Sequence, residues 1–281
     1  MADTNIHDRN AGVWPSVLRF TAIAWGITWL LWLPLVLARC GVDMPEWVRY
    51  CHYLGGLGPA LSAFIVARSE RERGTGGCLR EALSTRRPGI VFVLIGIFGP
   101  ILLFALAAVI TGLAGEGWPD PAGLGTTAEY PMLGHAAYWI VTMIFFGWGE
   151  EIGWRGFALP RLQSRYSPLV AAVIVSVIWS LWHVPAFFYN ENYGAMGSGG
   201  TAGWYFSMLT GSIILTWLFN ASRGSILVVA LFHATLDITI NSPGPASLAM
   251  TMGVLITIAG MMVLVLTRSR LRPSERNPVR W

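Results

Sequence analysis

The chain has 281 residues, of which 54% are hydrophobic and 12% charged, whereas about a quarter are charged in an ordinary soluble domain. That balance excludes a typical water-soluble protein and points to a bilayer as solvent. All 19 basic residues are arginine and the formal net charge is +4; the arginines flank apolar runs with no interleaved aromatics, which favours lipid headgroups over nucleic acid as their partner.

Apolar runs near the roughly 20 residues needed to cross a bilayer occur at about 18–38, 51–67, 89–114, 132–149, 168–188, 204–221, 224–240 and 246–267. Short alternating segments of the kind that build membrane barrels are absent. The expected class is therefore all-α: a polytopic membrane bundle of about eight transmembrane helices. The first run is longer than a signal-peptide core and no small-residue cleavage site follows it, so it is kept as a helix. The division along the chain is a tail over 1–17, one membrane domain over 18–267 and a basic tail over 268–281.

If the runs alternate in direction, all but two of the 19 arginines lie on one side. Arg68, Arg71, Arg73, Arg80, Arg86 and Arg87 share a single loop there, and the exceptions are Arg39 and Arg49. Basic residues near helix ends are retained in the cytoplasm, which puts both termini inside. The stretch 115–131, with Glu116, Asp120 and Glu129 and no arginine, then lies outside.

The second run opens YLGGLGPALSAF, where Gly55, Gly56, Gly58 and Ala60 allow close helix approach. The RSERERGTGG stretch that follows reads as solvated linker. No internal repeat is evident, which weighs against transporters built from duplicated halves. Cys40, Cys51 and Cys78 are odd in number and lack metal-knuckle spacing, so they read as small packing residues.

Of the 15 acidic residues, Glu150, Glu151 and Asp237 fall inside or at the border of apolar runs, together with His183 and His233. Ionisable groups at that depth cost several kcal/mol unless paired or facing a hydrated cavity. An internal salt-bridge network is the bland account. Five such residues drawn from three spans favour a site.

The glutamates stand side by side in FGWGEEIGWRG. Neighbours on a helix differ by about 100° around the axis, so the two cannot share one partner on one face. Glu151 precedes Arg155 by four residues, the favourable orientation for a side-chain pair. Glu150 has Gly153 and Trp154 at the matching offsets, so its partner is expected from another helix, leaving it placed to act as a general base. His183, in WSLWHVPAFF, precedes Pro185, whose kink frees carbonyls to make a polar pocket; a hydrogen-bonded core histidine is the alternative. In LFHATLD, His233 and Asp237 are four apart on one face, so the carboxylate can fix the ring's tautomer and let the imidazole donate to an oxyanion.

EEIGWR is Glu-Glu-x-x-x-Arg, WSLWH is similar to Phe-x-x-x-His, and HATLD is His-x-x-x-Asn/Asp. In this order, over residues 150–237, the set resembles the CPBP family, the type II CAAX prenyl proteases and their bacteriocin-processing relatives, also called Abi. The resemblance implies an intramembrane endopeptidase acting on a peptide or membrane-protein substrate. By position, Glu150 would be the base, His183 would help to place the water, Glu151 and Arg155 would be the supporting pair, and His233 with residue 237 would stabilise the oxyanion. Trp179 stands where the family usually has phenylalanine, which keeps an aromatic wall. Asp237 stands where asparagine is common; an ionised carboxylate cannot donate, so Asp237 is expected to orient His233, the principal donor.

Glu150, His183, His233 and Asp237 are also plausible ligands for zinc or another divalent metal. With no His-Glu-x-x-His and with paired glutamates to explain, a mechanism without a cofactor is preferred. An all-arginine chain of this length looks more like a bacterial relative, located in the cytoplasmic membrane as a multi-pass protein, than like a eukaryotic one that matures prenylated proteins. Two other readings stay open: a non-catalytic immunity or scaffold protein of the same fold, and a proton-coupled transporter using Glu150 and Asp237.

Depth offers a check. Measured from Arg161 and Arg223, Glu150 and His233 lie about 16 and 15 Å in at the helical rise, whereas His183 lies about 27 Å from Arg165. The last figure disagrees with the other two.

Overall fold

Every regular element in the computed structural model is helical over the residues it describes, 13–72, 88–127 and 129–267. The expected tails over 1–12 and 268–281, Cys78, and Arg73, Arg80, Arg86 and Arg87 lie outside the described residues, as does the side chain of Arg71. Helix α1 is Val13–Arg39, α2 is Gly58–Glu72 and α3 is Ile90–Leu113. An interrupted helix follows over 135–163: α4 (His135–Thr142), a π-helical segment Met143–Trp148, α5 (Gly149–Gly153), a second π-helical segment Trp154–Ala158, and α6 (Leu159–Gln163). The chain continues through α7 (Pro168–Trp182), α8 (Gly197–Ala221), α9 (Ile226–Ile240) and α10 (Leu248–Leu266).

Among the described residues, five helical stretches are long and apolar enough to cross a membrane: α1, α3, Pro168–Tyr189, α8 and α10. Their outer faces carry exposed leucine, isoleucine and valine, among them Leu30, Leu102, Leu113 and Val265. Such a surface is costly in water and natural against lipid tails.

The other expected runs take a different form. The 51–67 run breaks into a short turn, Cys51–Gly55, and α2. The 132–149 run becomes the interrupted helix, and 224–240 becomes α9, 15 residues long, about 22 Å. Arg223 and Gly224 adopt φ of 63° and 78° just before α9 and set its start. Irregular backbone within a membrane is tolerated where protein surrounds it, and these three stretches pack against one another: α5 lies against α2, and the first π-helical segment against α9.

Small residues permit this packing. A Cβ on Gly55 would strike the Trp32 indole nitrogen, one on Gly58 the Thr28 hydroxyl, and one on Gly56 would lie 2.6 Å from the Phe145 carbonyl. The close approach expected of this stretch is thus observed. The Thr28 hydroxyl donates to the Gly55 carbonyl and the Ser62 hydroxyl to the Phe20 carbonyl, both at 2.7 Å, which fixes α1 along the 51–72 region. Of the cysteines, Cys51 is buried, as a packing residue should be, but Cys40 is exposed.

Candidate active site

The paired glutamates sit on α5, the single α-helical stretch between the two π-helical segments. Wide turns of this kind recur at functional sites because they re-aim side chains without ending the helix. Glycines hold the segment in its groove. A Cβ on Gly149 would come 2.6 Å from the Gly56 carbonyl, one on Gly153 2.5 Å from the Pro59 Cβ, and one on Gly147 2.9 Å from the Ala230 carbonyl. The carboxylates are therefore clamped between α2 and α9, with Glu150 3% and Glu151 0% exposed.

The two carboxylates face different partners. Glu151 Oε1 accepts from Arg155 Nη1 at 2.8 Å, the expected pair, with both side chains fully buried. The same oxygen bonds His233 Nδ1 at 2.8 Å. A carboxylate only accepts, so Nδ1 carries the proton. This corrects the expectation for Asp237, whose Oδ2 lies 3.6 Å from His233 Nε2, beyond hydrogen-bond range, with its side chain 29% exposed. The i,i+4 spacing brings the two side chains near one another, yet the bond that orients the ring comes from a different helix.

Glu150 Oε2 accepts the Trp179 indole N–H at 2.6 Å and the Trp154 indole N–H at 3.2 Å. The partner expected from another helix is thus Trp179. A local partner was not expected; Trp154, four residues on, supplies one because an indole carries a donor as well as a hydrophobic ring.

Helix α7 ends at Trp182 with His183 as its cap, and the chain turns through Pro185 into the short helix Ala186–Tyr189. His183 Nδ1 bonds the Trp179 carbonyl at 2.8 Å. A carbonyl only accepts, which puts the proton on Nδ1 and leaves Nε2 with a free lone pair. The rings of Trp182, Trp204 and Tyr193 surround the imidazole at 4.7, 5.5 and 6.1 Å between centroids.

Trp179 joins these groups. Its indole bonds Glu150 and its carbonyl bonds His183. Its ring packs edge-on to His233 at 5.2 Å, and the Arg155 guanidinium lies 4.6 Å from its centroid, within cation–π range. Glu150 and His183 thus meet through this tryptophan rather than by a bond of their own among the described residues.

The disagreement in depth also resolves. The interrupted helix and α7 form an antiparallel hairpin about the turn 164–167, and measured from that turn Glu150 and His183 lie about 21 and 24 Å along their helices. Arg161 lies in α6 and Arg165 within the turn itself, which made them unequal landmarks.

As candidate metal ligands the same residues fit poorly. Among the described residues, no three His, Cys, Asp or Glu side chains form a group able to hold an ion. Glu150 Oε2 is taken by two indoles.

Comparison with known proteins gives two matches. Residues 132–239 match the family model of type II CAAX prenyl endopeptidases, Rce1-like. That segment is similar to this family. It runs from the start of the interrupted helix through α9, and so contains Glu150, Glu151, Arg155, Trp179, His183, His233 and Asp237. A CAAX prenyl protease 2 of Methanococcus maripaludis is 52% identical over 44 residues, an alignment spanning 16% of each chain. The resemblance read from the sequence is thus present in the Rce1-like segment, while α1, α2, α3 and α10 lie outside it.

Proposed function

We propose that the protein is a multi-pass intramembrane endopeptidase in which Glu150 is the general base. What supports this most is the gathering of one carboxylate and two imidazoles, from α5, the end of α7 and α9, around the ring of Trp179.

Water held between Glu150 and the unprotonated Nε2 of His183 attacks the scissile carbonyl carbon, and Glu150 takes its proton. The carbonyl oxygen becomes an oxyanion. His233, with Nδ1–H bonded to Glu151 and the Asp237 carboxylate beside it, can carry a second proton on Nε2 and donate it as a hydrogen bond to that oxygen, a contribution of about 3 kcal/mol for a preorganised donor. Collapse breaks the C–N bond, and Glu150 returns its proton to the departing amine. Glu151 and Arg155 act as supports, and Asp237 adds negative charge on the open side of His233. No step passes through a metal.

The family name of the matched segment suggests a C-terminal CAAX motif as substrate, the all-arginine composition suggests a bacterial membrane, and the one-sided placement of the arginines suggests that both termini are inside. Purified protein should be offered a quenched fluorogenic CAAX peptide in farnesylated and unprenylated forms. Cleavage that disappears in Glu150→Ala and His183→Ala supports the mechanism; undiminished cleavage by either variant removes that residue from it.

A further inference from the structure

We propose that Trp179 is a positioning residue that divides the labour of the Glu150 carboxylate, holding Oε2 as an anchor and leaving Oε1 as the basic oxygen. This rests on Glu150 being the base.

Both indole N–H groups that reach Glu150 converge on the same atom, Oε2, from Trp179 at 2.6 Å and from Trp154 at 3.2 Å. The terminal torsion of a glutamate is otherwise broad, and two donors on one oxygen remove that freedom. Neither donor is itself free to move. Trp154 is fully buried and packs edge-on to Phe20 and Trp182 at 5.4 and 6.1 Å. Trp179 is 5% exposed and held by Arg155 over its ring. Oε1 receives no hydrogen bond among the described residues, so its lone pairs are the ones left for a water.

An indole is donor only, and at 2.6 Å its bond to an ionised acceptor belongs to the short, strong class. Phenylalanine at 179 would supply the same wall and no donor. The main-chain carbonyl of the same residue fixes the Nδ1–H tautomer of His183, so one residue sets the orientation of both groups that hold the water.

The decisive substitution is Trp179→Phe, which keeps the ring and removes the N–H, with Trp154→Phe as the weaker counterpart. In the full chain, kcat for the fluorogenic CAAX peptide should fall about 10- to 100-fold in Trp179→Phe, the worth of a hydrogen bond to a charged group. KM should stay within about twofold, since substrate binding is untouched. The Trp154→Phe loss should be smaller. Independently of any substrate, ¹⁵N-indole-labelled protein should show one N–H resonance shifted far downfield, missing in Trp179→Phe and moved back upfield in Glu150→Ala. A Trp179 resonance indifferent to Glu150→Ala, or a wild-type kcat in Trp179→Phe, overturns the proposal. Cleavage that survives in Glu150→Ala instead overturns the base assignment beneath it, while the indole resonance still reports whether the anchor exists.

Discussion

Glu151 binds two cations or potential cations through one atom: Oε1 takes Arg155 Nη1 and His233 Nδ1, each at 2.8 Å. This junction ties the interrupted helix to α9 with groups that are 0 to 6% exposed. The adjacent Glu150, reached only by indoles, makes no ion pair within hydrogen-bond distance among the described residues. Two neighbouring glutamates thus divide into one held in a buried ion-pair junction and one bonded only by indoles.

That division gives opposite signatures. Glu151→Ala strands the buried Arg155 guanidinium and releases the His233 ring, and breaking a buried pair in this way costs about 3 to 5 kcal/mol. Glu150→Ala leaves two indole donors unpartnered, at about 1 to 3 kcal/mol. Thermal melting in detergent should therefore rank Glu151→Ala well below Glu150→Ala, while Glu150→Gln, close to wild type in melting, should lose cleavage. The reverse ranking would exchange the two roles.

Gly153 is the tightest point between the interrupted helix and α2. Because a Cβ there would sit 2.5 Å from the Pro59 Cβ and 2.7 Å from its carbonyl carbon, rigid backbone must move to accept any side chain. Gly153→Val should lower stability by about 1 to 3 kcal/mol, the usual cost of overpacking, and reduce cleavage further by displacing α5. Gly26, on α1, meets nothing within 4 Å of its would-be Cβ. Gly26→Ala should be neutral or slightly stabilising in a helix interior. Parallel melting curves of the two variants make the comparison.

Hydropathy alone located the helices that face lipid, because an apolar run of bilayer length has one stable use. It was less informative for the 51–67, 132–149 and 224–240 runs, whose irregular geometry comes from protein contacts rather than from their own composition. Helical spacing revealed the Glu151–Arg155 pair, since both partners lie on one helix. The bond from His233 to Glu151 joins residues 82 apart in sequence, and no periodicity encodes it; the nearer Asp237 was the natural but incorrect choice as orienter. Trp154 and Trp179 stood in plain view as aromatics, and their N–H groups were the missed signal: a buried indole needs an acceptor, and Glu150 was the unsatisfied acceptor nearby. The glycines of FGWGEEIGWRG were a second missed signal, carrying the same small-residue logic that was applied to Gly55, Gly56 and Gly58.

Orientation can be tested on the native cysteines. Cys40 is exposed at the end of α1, beside Arg39, on the side assigned to the outside, and Cys51 is buried. With both termini in the cytoplasm, a membrane-impermeant maleimide should label intact spheroplasts at Cys40, and Cys40→Ser should abolish that labelling. Cys40 that reacts only after permeabilisation would invert the topology and place the more arginine-rich loops outside, against the charge rule.

Metal dependence separates the proposed chemistry from its main rival. A zinc site would need at least three of Glu150, His183, His233 and Asp237 to present lone pairs to one point. Instead Glu150 Oε2 accepts two indoles, and Asp237 Oδ2 lies 3.6 Å from His233 Nε2 as an ion-pair partner. Purified protein should therefore carry zinc well below one ion per chain by elemental analysis, and prolonged dialysis against a chelator should leave kcat on the fluorogenic peptide within about twofold. Stoichiometric zinc that vanishes in Glu150→Ala and in His183→Ala would require these side chains to swing away from Trp179 onto an ion, and would replace the indole-anchored base with a metal-activated water.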